Sequence, residues 1–463
     1  MTSTAPRHDH PHAFMNFNAR EREGVQVFGR RSVLKASLAG LAGLSLPKLL
    51  SAREATPSTS RQKSVILIWM TGGPSHIDTW DPKPLAPKEI RGPFGVIPTA
   101  LPGVQMCEFL PKQAAMLDRM TLIRSVDCRH SNHEPNMVMQ TANLAAEPRE
   151  NREAEKFPAL ASLIAKQRAA QSRELPPYVV LNMKSRSHLA WGGYLGKSYD
   201  PFVANDVGSL FALPSGLTTE RLETRQSLYS DLDRLRRDLD LSGSMDAVDR
   251  FTRQATDIVL GQAARNAFDV SQESEATRQK YGSHEWCKQV LLARRLVESG
   301  VSFVTIDLSN HGASGTWDTH GDNIPPYGGI WNGLRPLLPV FDHLITTLVE
   351  DLGERGLLDD VLVLAMGEFG RTPQIGTQGS SDGRNHWPVV MSMTVAGGGL
   401  RHGQVIGATE RDGGNILERP VTPGDLAATI FRHMGVPQDL SYLDNRGRPR
   451  PVIENGAPIA ELG

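Results

Sequence analysis

The stretch Ser64-Val65-Ile66-Leu67-Ile68-Trp69-Met70 runs directly into Thr71-Gly72-Gly73-Pro74-Ser75-His76-Ile77-Asp78-Thr79-Trp80-Asp81-Pro82-Lys83. Its first part is a continuous apolar run with β-branched residues, the pattern of a strand buried on both faces. Similar runs recur at Met120 to Ser125, Tyr178 to Asn182, Val301 to Leu308, Val361 to Met366 and Val389 to Ala396, with helical patterns between several of them. Strands that alternate with helices predict an α/β domain built on a central, largely parallel sheet. From Thr219 to Ser299 the pattern turns charged and helix-favouring, with Leu228, Leu232, Leu235 and Leu239 at helical spacing. That block reads as a helical insertion packed on the sheet, its leucine stripe serving as core. Residues 64–463 therefore read as a single domain with an insertion at about 219–299.

The 463 residues carry 50 Lys+Arg against 51 Asp+Glu, a formal charge of -1. Such a balance supplies no general basic field, which argues against nucleic-acid binding driven by phosphate neutralisation. Cys107, Cys128 and Cys287 are too few and scattered for a disulfide framework, and none belongs to a CxxC pair. The first 28 residues are polar, with His8, His10 and His12 irregularly spaced, and read as a disordered leader without a metal role. Arg30-Arg31-Ser32-Val33-Leu34-Lys35 then precedes a short apolar run, Ala36 to Leu46, and a small-residue exit near Ala52. This order is that of a twin-arginine export signal over residues 1–52, followed by a linker over 53–63. The apolar run is about half the ~20 residues that a membrane-spanning helix needs, so no transmembrane span is expected in the mature protein. The expected destination is the periplasm or the exterior, reached through the twin-arginine translocase.

Polar residues that follow a buried strand collect at the edge where α/β proteins bind ligands. Four such exits stand out. In the first, Gly72 and Gly73 permit close backbone approach and Ser75 adds a hydroxyl, so exposed amides there could bind an oxyanion; equally, Asp78 and Asp81 could cap local structure. The second, Arg124 to Asn136, leads into an expected helix, Met137 to Asn143, and offers His130 and His133, with His133 closer to the helix start. The third contains His311, Asp318, His320 and Asp322 in a glycine-rich loop, a donor set that suits an ion like Zn²⁺ or Mn²⁺. The fourth is Gly367-Glu368-Phe369-Gly370-Arg371-Thr372-Pro373 with the following Gly383-Arg384-Asn385-His386-Trp387. Glu368 is a candidate ligand or general base and Arg371 a candidate anion clamp, with Arg384 beside them; the competing reading is a buried Glu368–Arg371 ion pair.

Taken in order, GGPSHIDTWDPK, NHEPN, WDTHGDN, GEFGRTP, GRNHW and the closing GDLAATIFRHMGVP resemble the exported bacterial family catalogued as domain of unknown function 1501. The resemblance covers nearly the whole chain after the signal. That family is similar to the alkaline phosphatase and sulfatase superfamily, which implies a three-layer sandwich around a mixed sheet and a metal-dependent site for phosphate or sulfate esters. Asp318 and His320 then resemble the Asp and His ligands of the loop after a sheet strand, and His386 the late His that completes the site. The resemblance implies one divalent ion, zinc or manganese, on Asp318, His320 and His386. On the reading of the strand exits, His133, Glu368 and Arg371 are the candidate catalytic residues, and Gly72, Gly73, Ser75 and Arg384 the candidate substrate contacts. Phe369 stands where relatives carry a ligating His, Asn385 where many carry Asp, and the first strand ends Met70-Thr71-Gly72 without the usual Asp. Cys128 lacks the CxPxR context of formylglycine sulfatases, so that chemistry is not expected. The rival expectation is a non-catalytic envelope protein whose cleft binds a glycan, an anion or a protein partner.

Overall fold

The computed structural model describes residues 62–132, 135–168, 175–205, 261–309, 317–323, 325, 327–377 and 379–463, with the backbone of 20–22 and 25–27. The chain divides into residues 1–61 and residues 62–463. In the first part, Arg20–Arg22 and Val25–Val27 pair as a short antiparallel ladder inside the stretch read as disordered leader. The twin-arginine segment and the stripe Leu228 to Leu239 lie outside the described residues.

Residues 62–463 are organised by eight strands, which we label β1 (Ser64–Trp69), β2 (Met120–Asp127), β3 (Tyr178–Leu181), β4 (Phe202–Ala204), β5 (Phe303–Asp307), β6 (Val361–Met366), β7 (Val390–Gly397) and β8 (Gln404–Ile406). Their order across the sheet is β8-β2-β7-β6-β1-β5-β3-β4. β1 pairs in parallel with β6 and β5, and β3 in parallel with β5 and β4. Only β7 runs against its neighbours β6 and β2. The expectation of a largely parallel mixed sheet is met.

β1 lies in the middle of the sheet, and its side chains alternate between two cores. Ile66, Ile68 and Met70 face one core, with helices α2 (Glu285–Glu298) and α3 (Leu338–Glu354). Val65, Leu67 and Trp69 face the other, with α1 (Leu160–Arg168) and α4 (Pro423–Met434). Burial on both faces explains why the strand is apolar throughout. In α3, Leu338, Phe341, Leu344, Ile345, Leu348 and Leu352 are all buried, a stripe at helical spacing. α4 begins with a Thr422–Asp425 capping box and Pro423 in its first turn, and ends on the left-handed Gly435. The described part of the helical block, Gln262–Glu298, is anchored by the fully buried Arg294, which pairs with Glu273 at 2.8 Å and with Asp351 of α3 at 2.8 Å.

The strand exits of β1, β5 and β6 share one edge of the sheet. The expected helix Met137 to Asn143 is reduced there to one turn, Val138–Thr141, because Ala142 takes a left-handed conformation that stops it. One turn has no dipole of consequence to offer an anion.

Candidate metal centre

Asp318 and His320 lie beyond β5. His386 sits on a two-residue ladder in which Arg371 pairs with His386 and Gly370 with Trp387. Each of Asp318, His320 and His386 offers one ligand atom, and these atoms all lie within 4.8 Å of one another. Among the described residues they are the one group of three or more such side chains that could hold an ion. Asp318 and His320 are buried, and His386 is half-buried. Asp318 Oδ1 accepts from His320 Nδ1, and the two imidazole rings meet edge to face with centroids 4.4 Å apart.

Close backbone approach makes this convergence possible. Gly72 has φ +123°, and a Cβ there would stand 2.7 Å from the Asp318 amide nitrogen. A Cβ at Gly383 would stand 1.8 Å from the His320 carbonyl oxygen, and the adjacent Arg384 amide donates to Thr319 O at 2.7 Å. Glycine at these two positions lets the turn after β1 and the strand carrying His386 close on the Asp318–His320 loop.

Arg371 ties the pieces together. It is fully buried, reaches Asp318 Oδ1 at 2.8 Å, donates to Gly73 O at 2.9 Å and Arg384 O at 3.2 Å, and also bonds Gly72 O. Burial lowers its pKa, while the charges of Asp318 and Glu368 oppose that effect. Glu368, also fully buried, accepts from the Gly72 amide at 2.9 Å. Both side chains fix the turn and one ligand, instead of projecting into solvent where an ester would dock. The competing expectation of a Glu368–Arg371 pair is modified: the ion pair in the structure is Arg371–Asp318.

The substrate contacts expected from the sequence are placed elsewhere. Gly72 and Gly73 are buried, with their amides directed at Glu368 and at Met70 O, so no exposed amide cradle exists at those two positions. Ser75 Oγ donates to Asp78 Oδ2 at 2.5 Å, which is local turn chemistry. Arg384 is fully buried and spends all its donors on protein acceptors. Asp78 takes two bonds at 2.6 and 3.2 Å, Ile90 O one at 2.7 Å and Thr372 O one at 3.0 Å, and Pro373 O takes the last. His133 and His311 lie outside the described residues. Cys128 is buried, and desolvation pushes its thiol well above the ordinary range, which leaves it inert as a nucleophile.

Two features were not found from the sequence. Asp307, the last residue of β5, is buried and bonds His188 Nδ1 at 2.9 Å, Thr71 Oγ1 at 2.8 Å and the Ser309 amide at 3.0 Å. Burial raises its pKa, but the bonds and charge of His188, with those from Thr71 and Ser309, outweigh burial and hold it below its ordinary value. Thr71 and Gly72 are neighbours in the chain, so this carboxylate–imidazole pair and the Asp318 cluster share one turn. An acidic residue closing an otherwise apolar strand was the available signal. The other feature is Tyr327, whose ring lies 5.3 Å from that of His320.

Residues 62–462 match the family described as "Protein of unknown function (DUF1501)", and the chain belongs to that family. No curated protein matches. Similar solved structures include the PsFucS1 sulfatase from Pseudoalteromonas sp., with 14% identity over 90% of this chain and 74% of that one and a TM-score of 0.36. A phosphonate monoester hydrolase from Silicibacter pomeroyi shows 12% identity over 87% and 78%, with a TM-score of 0.35. The C-terminal periplasmic domain of EcEptC from Escherichia coli, in complex with Zn, shows 9% identity over 74% of each chain, with a TM-score of 0.30. Likenesses this remote say nothing about chemistry. No helix among the described residues is long and apolar enough to cross a membrane.

Proposed function

We propose that this chain is an exported, metal-dependent hydrolase of phosphate or sulfate esters, of the alkaline phosphatase and sulfatase type. The observation that carries the reading is the convergence of Asp318, His320 and His386, from two separate loops, to within 4.8 Å of one another. One carboxylate and two imidazoles are the donor chemistry of a catalytic zinc or manganese site with a position left open. When bound, the ion supplies Lewis acidity and charge stabilisation for a developing oxyanion. The chain's own residues do the rest. Arg371 holds Asp318 in orientation from behind, Glu368 fixes the Gly72 turn, and His133 serves as acid, base or nucleophile on the loop after β2. Export follows the twin-arginine route, which places the protein in the periplasm or outside the cell.

The committed donors of Arg371 and Arg384 favour a second reading, in which the same cleft binds a glycan, an anion or a protein partner without turnover. The two are separated by incubating zinc-loaded and manganese-loaded protein with p-nitrophenyl phosphate and p-nitrophenyl sulfate. Saturable release of nitrophenol, abolished by chelation and by His133→Ala, supports the hydrolase. Metal-loaded protein without turnover of either ester supports the binder.

A further inference from the structure

Asp307 is not one of the three converging ligand residues, yet it ends β5 fully buried beside them. Its Oδ1 accepts from Thr71 Oγ1 at 2.8 Å and from the Ser309 amide at 3.0 Å, and its Oδ2 bonds His188 Nδ1 at 2.9 Å. One carboxylate therefore joins the turn after β1, the exit of β5 and the loop after β3. Held on both oxygens by three bonds, it cannot rotate without breaking at least one of them. A buried charge of this kind gives little net stability compared with apolar side chains of similar volume. Stability alone therefore does not account for a carboxylate at the end of an otherwise apolar strand.

Two of the three ties lead to Asp318. Thr71 precedes Gly72, and a Cβ at Gly72 would stand 2.7 Å from the Asp318 amide nitrogen and 3.2 Å from the Asp318 Cβ, so the turn forms the bed on which Asp318 lies. The same turn is held by Glu368, which accepts from the Gly72 amide, and by Arg371, which bonds Gly72 O and also grips Asp318. On the β5 side, the Leu308 amide donates to Trp69 O at 2.8 Å and Leu308 O accepts from Trp317 Nε1 at 2.8 Å. The residue before Asp318 is thus fastened one position after Asp307. The third tie braces the carboxylate from the far side: His188 O accepts from Gln140 Nε2 at 2.8 Å and from Asn136 Nδ2 at 3.3 Å.

We infer that Asp307 is a positioning residue of the metal centre. Through Thr71 and Ser309 it fixes the Gly72 turn and the β5 exit, so that the Asp318 carboxylate stands in place before an ion arrives. Partners behind a ligand set metal affinity in this way without touching the metal. The inference rests on the metal-site reading above and adds to it a residue outside the ligand set.

The test uses the purified full-length protein as wild type, Thr71→Val, Thr71→Ser and Asp307→Asn. Thr71→Val keeps the branched shape and removes the hydroxyl that Asp307 accepts from; Thr71→Ser keeps that hydroxyl. Tyr281→Phe is the destabilised control: it loses a 2.9 Å bond to Asp351 at the opposite edge of the sheet, where α2 and α3 lead into β5 and β6. Zn²⁺ affinity is measured by competition with a chromogenic chelator at a temperature where each protein is folded, with Tm recorded in parallel. The expected result is a zinc Kd raised about 10–100-fold in Thr71→Val and Asp307→Asn, restored in Thr71→Ser and unchanged in Tyr281→Phe. A lowered Tm with wild-type zinc affinity in Thr71→Val overturns the inference and leaves Asp307 a fold-stabilising residue only. Equal weakening in Tyr281→Phe, or in Thr71→Ser, overturns it as well. If Asp307→Asn does not fold, Thr71→Val decides alone. Wild type that takes up no zinc or manganese overturns the metal-site reading itself, a separate and distinguishable failure.

Discussion

Asp78→Asn separates a structural Arg384 from a substrate clamp. Asp78 and Arg384 form an ion pair in which neither side chain has any exposure, with contacts of 2.6 and 3.2 Å. The substitution preserves shape but removes the charge that compensates a buried guanidinium. Two hydrogen bonds to a charged group contribute about 3–6 kcal/mol, and breaking one side of a buried pair costs about 3–5 kcal/mol. At an unfolding entropy of about 2.1 cal/mol/K per residue, the body of residues 62–463 should lose about 4–6 °C in Tm. Differential scanning fluorimetry or calorimetry on wild type and variant reads this directly. A Tm shift under about 1 °C together with weakened phosphate or sulfate binding would refute the reasoning and return Arg384 to the role of substrate contact expected from the sequence.

Arg371→Lys should fold yet bind the divalent ion about 10–100-fold more weakly, because Asp318 loses the guanidinium that orients it; competition with a chromogenic chelator measures this. Gly383→Ala should destabilise the fold by about 1–3 kcal/mol in urea denaturation, since its methyl group would fall 1.8 Å from His320 O. Asp307 is held below the ordinary carboxylate range, so its contribution is complete above about pH 4 and is lost as pH falls through its folded pKa. Asp307→Asn should therefore lower Tm at pH 7 and flatten the Tm profile on the acid side. His76 is buried with its pKa lowered by desolvation, so its neutral form stabilises the fold above about pH 6.5 and stability falls as pH drops below that. A His76→Gln variant should show a shallower Tm dependence between about pH 6.5 and 5.

The strands were legible because burial on both faces leaves an uninterrupted apolar run, as in Val65 to Met70 and Val361 to Met366. The reversed direction of β7 was not, since a buried strand has the same composition whichever way it runs. WDTHGDN was legible as a metal-ligand loop through its donor chemistry, whereas His386 of GRNHW was reached only through the family resemblance; Asp318, His320 and His386 do converge. The supporting residues were harder. An arginine that clamps an ester and one that compensates a buried Asp are the same residue in the sequence, and the partner of Arg384, Asp78, lies 306 positions away. His188 and Asp307, 119 positions apart, carry no motif that links them. Gly72 and Gly73 were read as freedom for a ligand to approach, whereas the backbone and side chains of Asp318 and Phe369 occupy that space.

The most direct test of the metal-centre claim is metal content by mass spectrometry on the purified full-length protein, in wild type, His320→Ala and His386→Ala. We expect close to one divalent ion per wild-type chain and loss of that ion from both variants. Correctly folded wild type that holds no metal, even after incubation with Zn²⁺ and Mn²⁺, would contradict the claim.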